Sequence, residues 1–341
     1  MPGWSATHIP DQRGRTAVVT GANSGIGYVT ARELARRGAT VVLACRSAAR
    51  GRAAVVRLRT EVPAAEVEFA ELDLAELASV REFATAYGKR HASLDLLVNN
   101  AGVMALPFGR TADGFETQFG VNHLGHFALT GLLLPKLRAA NANAHANASA
   151  TAKATTASTI GPVPAAPPGA RIVNVSSGFH ALSDIDIDLD DLDALRDPHG
   201  YRRWVAYGRS KTANLLFTHE LARRFTAAGS TITAAASHPG YASSNLHSGA
   251  SKLEGPSLLS RMSAFGNAVL AQPTASGALP TLYAATAPGV RSDEFIGPRF
   301  GWRGAPARSW RAKWTLDDTS GEALWAASEK LTGVSYASLP R

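Results

Sequence analysis

Short, nearly continuous apolar segments alternate with longer amphipathic segments along most of the chain. The apolar segments are rich in β-branched residues and cover residues 16–21, 39–46, 66–74, 94–102, 170–177 and 230–240, with a further candidate at 294–298. Strands that are apolar on both faces belong to parallel sheets, because helices cover both faces of such sheets. The pattern therefore predicts a doubly wound α/β fold with a mostly parallel, seven-stranded sheet.

One stretch breaks this alternation. Residues 139–169 are rich in Ala, Asn, Thr and Pro and almost free of large apolar side chains. Such a segment cannot bury enough surface to order itself, so we expect a flexible, low-complexity insertion within a single domain that spans residues 1–341. Because it precedes the strand at 170–177, it should enter at that strand's amino end, opposite the edge where parallel sheets bind ligands.

Composition and charge narrow the functional classes. The net charge is +8, but the arginines occur in short helical groups with glutamates nearby, which is typical of solvated helix faces and not of a nucleic-acid footprint. The single cysteine, Cys45, excludes an internal disulfide and indicates a reducing compartment. No stretch reaches the roughly 18 apolar residues of a membrane helix. We therefore expect a cytoplasmic protein without nucleic-acid partner or integral membrane segment, and homo-oligomerisation stays open.

A glycine-rich turn follows the first apolar segment. In "TGANSGIG", residues 20–27, the glycines let the backbone approach a phosphate, and the next helix offers its amino end to the same group. A preceding strand and a following helix are the context that a dinucleotide site requires. The predicted cofactor contacts in this turn are Gly21, Asn23, Ser24, Gly25, Ile26 and Gly27.

The end of the second apolar segment indicates which dinucleotide is bound. An NAD site usually has an acidic side chain there, whereas this chain reads "ACRSAARGR" and places Arg46 at that point, with Ser47, Arg50 and Arg52 nearby. A guanidinium pairs well with the 2′-phosphate of the phosphorylated cofactor. We therefore predict NADP(H), the alternative being a solvated surface cluster of arginines.

Four motifs together resemble the short-chain dehydrogenase/reductase superfamily. "TGANSGIG", "NNAG" at 99–102, "VSS" at 175–177 and "YGRSK" at 207–211 occur in its order and spacing, and "DGFETQFGVNHLGHFALT" resembles its retinol-dehydrogenase-like branch and bacterial relatives. The likeness covers most of the chain outside the insertion. It implies a Rossmann-type fold and an NADP(H)-dependent oxidoreductase that transfers a hydride between the nicotinamide and a fairly apolar carbonyl or alcohol substrate.

The resemblance implies a catalytic set of Asn122, Ser177, Tyr207 and Lys211. Tyr207 and Lys211 are four residues apart on one helix face, so the ammonium is expected to lower the phenol pKa from its usual value of about 10. Tyr207 would then exchange a proton with the substrate, while Ser177 donates a hydrogen bond to the substrate oxygen. The family further implies that Lys211 holds the nicotinamide ribose and that Asn122 positions a water that returns the proton.

Other positions match the family's cofactor and substrate contacts. The remaining predicted cofactor residues are Asp73, Leu74, Asn100, Ala101, Gly102, Pro239 and Gly240. The predicted pocket residues are Phe179, Tyr201, Trp204 and the segment 241–272, with simple packing as an equal alternative for the aromatic side chains. His180, His238 and His247 have no cluster of carboxylates or cysteines nearby, so no metal site is predicted.

Two other functions stay open. A light-driven protochlorophyllide reductase resembles this branch and uses the same Tyr and Lys to reduce a C=C bond, but those enzymes carry several cysteines near the pigment, whereas this chain has only Cys45. A non-catalytic NADP(H)-binding sensor is the second alternative. Such members typically lack the tyrosine or the lysine, and this chain has both. The identity of the substrate is not indicated.

Overall fold

The computed structural model describes residues 3–155, 169–184, 200–241 and 272–340. The strands within these ranges are β1 Thr16–Thr20, β2 Thr40–Cys45, β3 Val67–Glu71, β4 Leu96–Asn99, β5 Arg171–Val175, β6 Thr233–Ser237, β7 Phe295–Pro298 and β8 Pro306–Arg308. They form one sheet in the order β3-β2-β1-β4-β5-β6-β7-β8, in which only β8 is antiparallel to its neighbour. The predicted parallel sheet is confirmed.

The predicted number of strands, seven, is wrong by one. Strand β8 has three residues and reads "PAR", so it lacks the apolar run by which the other strands were identified. It forms because the chain turns back after β7 and pairs with it through Ile296 to Arg308 and Gly297 to Ala307. A short polar strand of this kind at the edge of a sheet leaves little trace in the hydrophobic pattern.

Helices cover both faces of the sheet. The helices of more than one turn are α1 Gly25–Arg36, α2 Ala48–Glu61, α3 Leu77–Arg90, α4 Gly125–Thr155, α5 Arg203–Ala227, α6 Thr274–Thr286 and α7 Asp318–Thr332. Val19 and Val98 pack on the face with α1, α2 and α6, whereas Val18 and Leu97 pack on the face with α3, α4, α5 and α7. This alternation arises because successive side chains of a strand point to opposite faces.

None of the helices in the described part of the chain has the length and apolarity needed to cross a membrane. The cytoplasmic location stays a prediction.

Helix α4 extends into the predicted insertion. The backbone is helical up to Thr155, well inside the segment 139–169, and the flexibility of that segment stays a prediction. Ala140 is buried and Asn141 accepts a hydrogen bond from Thr231, and the many alanines that follow favour a helix even without burial. Residues 156–168 lie outside the described residues, and the predicted flexibility is untested there.

Residues near both ends of the insertion lie at the amino edge of the sheet. Arg15, which precedes β1, donates to the carbonyl of Gly169, which precedes β5, at 3.3 Å. Asn141 packs closely against Gly169, because a Cβ added to Gly169 would lie 2.5 Å from Oδ1 of Asn141. Asn141 and Gly169 therefore lie opposite the carboxyl edge, where parallel sheets bind ligands.

Candidate active site

The predicted site residues gather at the carboxyl edge of the sheet. The strand order reverses at β1 and β4, and a doubly wound sheet opens a crevice for ligands at such a point. The glycine turn follows β1, the "NNAG" segment begins at the end of β4, Ser177 follows β5 and Pro239 follows β6. The sequence placed these motifs on separate strands, and the topology brings their ends together.

The glycine turn has a backbone that other residues would not adopt easily. Gly21 and Gly25 have φ angles of +67° and +59°. A Cβ on Gly21 would lie 2.9 Å from the Cα of Ala101, and one on Gly27 would lie 2.4 Å from Nδ2 of Asn100. Helix α1 begins here, and the side chain of its N-cap residue, Ser24, makes no capping hydrogen bond. The turn therefore leaves open space and helix N–H groups of the kind that bind a phosphate.

Arg46 lies at the end of β2 and extends into solvent. Its side chain is 67% exposed, and its Nε is 4.0 Å from Oδ2 of Asp73 after β3. Ser47 caps α2 by accepting a hydrogen bond from the N–H of Arg50, and the arginines at 50 and 52 are exposed. Leu74 is buried beside Asp73. The structure thus brings the predicted 2′-phosphate and adenine contacts to neighbouring strand ends.

Tyr207 and Lys211 lie on one face of α5, as the sequence predicted. Both are buried, and Nζ of Lys211 is 5.7 Å from the centre of the Tyr207 ring. Nζ donates a hydrogen bond of 3.0 Å to the carbonyl of Val175, and the Ser176 hydroxyl donates one of 2.8 Å to the carbonyl of Lys211. These two hydrogen bonds therefore attach α5 to the end of β5 next to Tyr207 and Lys211.

The pKa values of this pair differ from the expectation. Burial raises the pKa of Tyr207 to about 12, although a hydrogen bond with Ser177 acts in the opposite direction, and burial lowers the pKa of Lys211 to about 8. The predicted lowering of the Tyr207 pKa is therefore wrong for this structure. Loss of solvation is the largest cause for both groups, and Lys211 directs its hydrogen bond to the carbonyl of Val175. Both side chains are mainly protonated at pH 7.

Asn122 lies in a π-helical turn, Gly120–Leu124, immediately before α4. Its Oδ1 accepts from the N–H of Val103 at 2.8 Å, and its Nδ2 donates to the carbonyl of Val103 and to Oγ of Ser210, both at 2.9 Å. Ser210 in turn donates to the carbonyl of Tyr207 at 2.7 Å. The amide side chain thus joins the end of β4 to the helix that carries Tyr207.

Gly102 and Ser177 complete the candidate catalytic set. A Cβ on Gly102 would lie 3.1 Å from Oδ1 of Asn122 and 3.5 Å from Nζ of Lys211, so this glycine lies beside both side chains. Ser177 begins a 3-10 turn, Gly178–Leu182, and its hydrogen bond with Tyr207 brings the two hydroxyl groups together. The four residues that the sequence predicted therefore meet in one place.

Hydrogen bonds to its backbone groups fix the loop after β6. Gly240 has a φ of +66° and donates its N–H to Nδ1 of His238 at 3.2 Å, while Gln272 donates to the carbonyl of Pro239 at 2.5 Å. His238 also bonds Ser309, so its role here is structural. Most of the predicted pocket segment, residues 242–271, lies outside the described residues, and so does His247.

Aromatic side chains lie beside Tyr207. Phe179 stacks on Trp204 with a centroid distance of 5.1 Å and meets the ring of Tyr207 edge-on at 5.7 Å. Tyr201 and Trp204 line a cavity of about 490 Å³. The Tyr201 hydroxyl donates to the buried Glu116, so this tyrosine also has a packing role. The aromatic side chains form an apolar border next to the candidate catalytic set.

Several residues of the site were missed in the sequence. Thr20, His126, Ser176, Ser210 and Gln272 are all buried and all bond a residue that the sequence had singled out. Each had some signal in the sequence, because Thr20, Ser176 and Ser210 lie inside "TGANSGIG", "VSS" and "YGRSK". His126 follows Asn122 by one helical turn, and Gln272 ends the predicted pocket segment. Their hydrogen-bond partners are identified only by the fold.

Comparison with known proteins identifies the family. A family model described as short chain dehydrogenase matches residues 15–158. Human retinol dehydrogenase 12 is 38% identical over 323 residues, which cover 95% of this chain and 88% of that protein. The chain belongs to the short-chain dehydrogenase family. Its resemblance to the retinol-dehydrogenase-like branch is confirmed, and the family consists of oxidoreductases that act on CH–OH or C=O groups with a nicotinamide cofactor.

Other matches of this short-chain dehydrogenase differ in their extent. Mouse retinol dehydrogenase 12 is 43% identical over 230 residues, which are 67% of this chain and 61% of that protein, so this match spans less than two thirds of the relative. A crystal structure of an uncharacterized protein from Mycobacterium Paratuberculosis is 42% identical, with a TM-score of 0.73 and coverage of 98% of this chain and 99% of that one. The fold and the family are thus shared over nearly the whole chain.

Proposed function

We propose that this chain is an NADP(H)-dependent oxidoreductase that reduces an apolar carbonyl compound, with Tyr207 as the proton donor. The observation that carries the proposal is the meeting of Asn122, Ser177, Tyr207 and Lys211 at the carboxyl edge of the sheet. Asn122, Tyr207 and Lys211 are buried there, and hydrogen bonds to Ser210 and Val175 hold them in place. Such a set, next to a glycine turn able to receive a phosphate, has the geometry of a site in which a proton and a hydride are delivered to one substrate.

The residues present fit a phosphorylated dinucleotide. The open backbone at Gly21 and Gly25 and the uncapped start of α1 would hold the pyrophosphate, and Gly102 leaves room beside Lys211 for the ribose. Arg46 is exposed at the end of β2 and free to turn toward a 2′-phosphate, and no acidic residue occupies that position. The bound cofactor supplies the hydride.

The protonation state of Tyr207 favours reduction. With a pKa of about 12 the phenol carries its proton at neutral pH, and it can donate that proton to an oxygen on which negative charge develops. Ser177 is hydrogen-bonded to the same phenol and can donate to the same oxygen. After the transfer, the charge of Lys211 at 5.7 Å stabilises the phenolate. Oxidation of an alcohol would first require loss of the Tyr207 proton, which burial opposes.

The surroundings of Tyr207 support an apolar substrate. Phe179 and Trp204 place stacked rings next to the phenol, and both keep more than a third of their surface exposed. Rings exposed at the border of a site can bind an apolar molecule while leaving its carbonyl free for the polar groups. We propose a fairly apolar aldehyde or ketone on this basis.

The test is a screen of aldehydes, ketones and enones that follows the absorbance of NADPH, with Tyr207→Phe as the matched variant. Binding of NADPH is measured in parallel by fluorescence, so loss of chemistry is separated from loss of cofactor. Alcohol products from the parent protein and none from the variant support the proposal. Saturated carbonyl products from enones would instead indicate a C=C reductase, and binding without any turnover would indicate a sensor.

A further inference from the structure

A histidine with no role in the proposed chemistry lies directly beneath the site. His126 is 2% exposed and follows Asn122 by one turn, at the start of α4. Its Nδ1 is 3.0 Å from the backbone carbonyl oxygen of Asn122, and its Nε2 is 2.9 Å from Oγ1 of Thr20. One imidazole therefore bridges the π-helical turn that carries Asn122 and the residue immediately before the glycine turn.

The partners determine which ring nitrogen carries the hydrogen. A carbonyl oxygen only accepts, so Nδ1 of His126 must donate to Asn122. The Thr20 hydroxyl oxygen already accepts from the backbone N–H groups of Asn100 and Ala101, at 2.9 and 2.8 Å. Those two bonds occupy both of its lone pairs, so its own hydrogen is directed at Nε2. His126 is thus the neutral Nδ1–H tautomer.

The distances and the charge state support this assignment. The carbonyl of Val98 is a second acceptor for the Thr20 hydrogen, but it lies at 3.4 Å, whereas the imidazole nitrogen lies at 2.9 Å. Burial lowers the pKa of His126 to about 4, and the nearby charge of Lys211 acts in the same direction. The ring is therefore neutral at pH 7, as a nitrogen that accepts from Thr20 requires.

We propose that His126 is a positioning residue that ties the dinucleotide-binding edge to Asn122. This inference rests on the proposed function. The bonds run in one direction, from the N–H groups of Asn100 and Ala101 through Thr20 and His126 to the carbonyl of Asn122. A π-helical turn is less constrained than an α-helix, so an extra bond to its backbone sets the orientation of the Asn122 peptide.

The orientation of Asn122 reaches the catalytic tyrosine through one more step. The Asn122 amide bonds Ser210, which bonds the carbonyl of Tyr207. An aliphatic side chain at position 126 would leave the Asn122 carbonyl and the Thr20 hydroxyl without these partners, and a cationic one would face the charge of Lys211. A neutral imidazole satisfies both ends and leaves Lys211 charged.

Three substitutions of His126 distinguish the effect of its bond to Asn122 from the effect of its bond to Thr20. His126→Phe removes both and keeps a ring of similar volume. His126→Asn keeps an amide donor near the position of Nδ1 and so retains the bond to Asn122, whereas His126→Gln reaches toward Thr20. The matched control is His123→Phe, because His123 is fully buried one turn earlier and bonds Ser328 of α7.

The expected result is a selective loss of turnover. His126→Phe should lower kcat by about ten- to a hundredfold, as expected when buried polar groups lose their partner, with the substrate KM changed by no more than about twofold. His126→Asn should recover part of kcat, and His126→Gln less. His123→Phe should lower the melting temperature but leave kcat near the parent value. Equal kcat losses in folded His126→Phe and His123→Phe, or parent kcat in His126→Phe, would overturn the proposal.

A second measurement does not depend on turnover. With ¹⁵N-labelled histidine, two-bond ¹H–¹⁵N spectra at pH 7 distinguish the tautomers, and the signals of His126 are those lost in the asparagine or phenylalanine variant. We expect Nδ1–H, and an Nε2–H or doubly protonated ring would overturn the proposal even if no substrate is found. If the parent protein turns over no carbonyl compound while the spectra show Nδ1–H, the proposed function fails and the bridge stands as a connection within the cofactor site.

Discussion

The two ends of the candidate site are built in opposite ways. Tyr207 and Lys211 are 5% and 4% exposed and are hydrogen-bonded to Ser210 and Val175. The side chain of Arg46 is 67% exposed and lies 4.0 Å from the carboxylate of Asp73. Burial shifts the pKa values of Tyr207 and Lys211, whereas solvent screens the charge of Arg46. We therefore expect proton transfer at Tyr207 to depend on how the fold buries the site, and the choice between NADPH and NADH to depend mainly on one exposed side chain.

The largest expected effect is at the buried end. Tyr207→Phe removes the proton donor but leaves the backbone carbonyl that accepts from Ser210, so the helix should keep its place. We expect the rate of carbonyl reduction to fall by about 10²- to 10⁴-fold, with the affinity for NADPH unchanged. A single-turnover assay with NADPH prebound measures this, and hydride transfer at the parent rate would refute the role of Tyr207.

Ser177→Ala tests the second hydroxyl of the buried end. Loss of one donor to a developing oxyanion lowers the rate by about 10²- to 10³-fold, and we expect a decrease in kcat of that size. Ser183→Ala is the control, since Ser183 is the C-cap of the same 3-10 turn and its hydroxyl donates to the carbonyl of the neighbouring Asp184. Similar kcat values for both variants would show that Ser177 only caps the turn.

At the exposed end, Arg46→Asp should change ligand preference and little else. A charge-assisted hydrogen bond contributes about 1.5–3 kcal/mol, so the preference for NADPH over NADH should fall by about ten- to a hundredfold. Lys89→Asp, the same charge change on the exposed end of α3, should leave the preference as it is. Dissociation constants for both cofactors decide the matter, and equal values in the parent protein would contradict the assignment to NADP(H).

Burial of Lys211 should destabilise the fold in a pH-dependent way. Its folded pKa of about 8 lies below the ordinary value of about 10.4, so below pH 8 the native state carries the full penalty of a buried charge. That penalty disappears between about pH 8 and 10.4, as the folded protein releases the proton. Lys211→Met should therefore raise the free energy of unfolding by roughly 1–3 kcal/mol at pH 7, with a smaller gain at pH 10.

Urea unfolding at the two pH values checks this expectation, with Lys89→Met as an exposed control. An equal gain from Lys211→Met at pH 7 and pH 10 would show that packing, and not the buried charge, is responsible. The same variant should lose carbonyl reduction, so stability and activity would change in opposite directions.

The smallest expected effect belongs to the insertion. Replacing residues 146–166 by a short Gly/Ser loop spares Ala140 and Asn141, which pack at the amino edge, and should change kcat and NADPH affinity by less than about twofold. Steady-state kinetics and circular dichroism of the variant test this. A large loss of kcat in a folded variant would place the segment at the active site or at a contact between subunits.

Much of the fold and of the site was predictable because the relevant signals are local. The strands alternate with helices in the hydrophobic pattern, and the glycine turn and "YGRSK" are short motifs with a mechanical meaning. The error in the strand count has a physical cause too. Strand β8 reads "PAR", without an apolar run, and it forms by pairing with β7.

The sequence by itself determined which groups form the candidate catalytic set, since the order and spacing of Ser177, Tyr207 and Lys211 are properties of the chain. The tertiary structure alone decided their protonation. Tyr207 and Lys211 are one turn apart in any helix, but only the tertiary packing removes them from water and directs Lys211 to the carbonyl of Val175. Solvation depends on the whole surroundings of a group, so the pKa of Tyr207 rises where the local pattern predicted that it would fall.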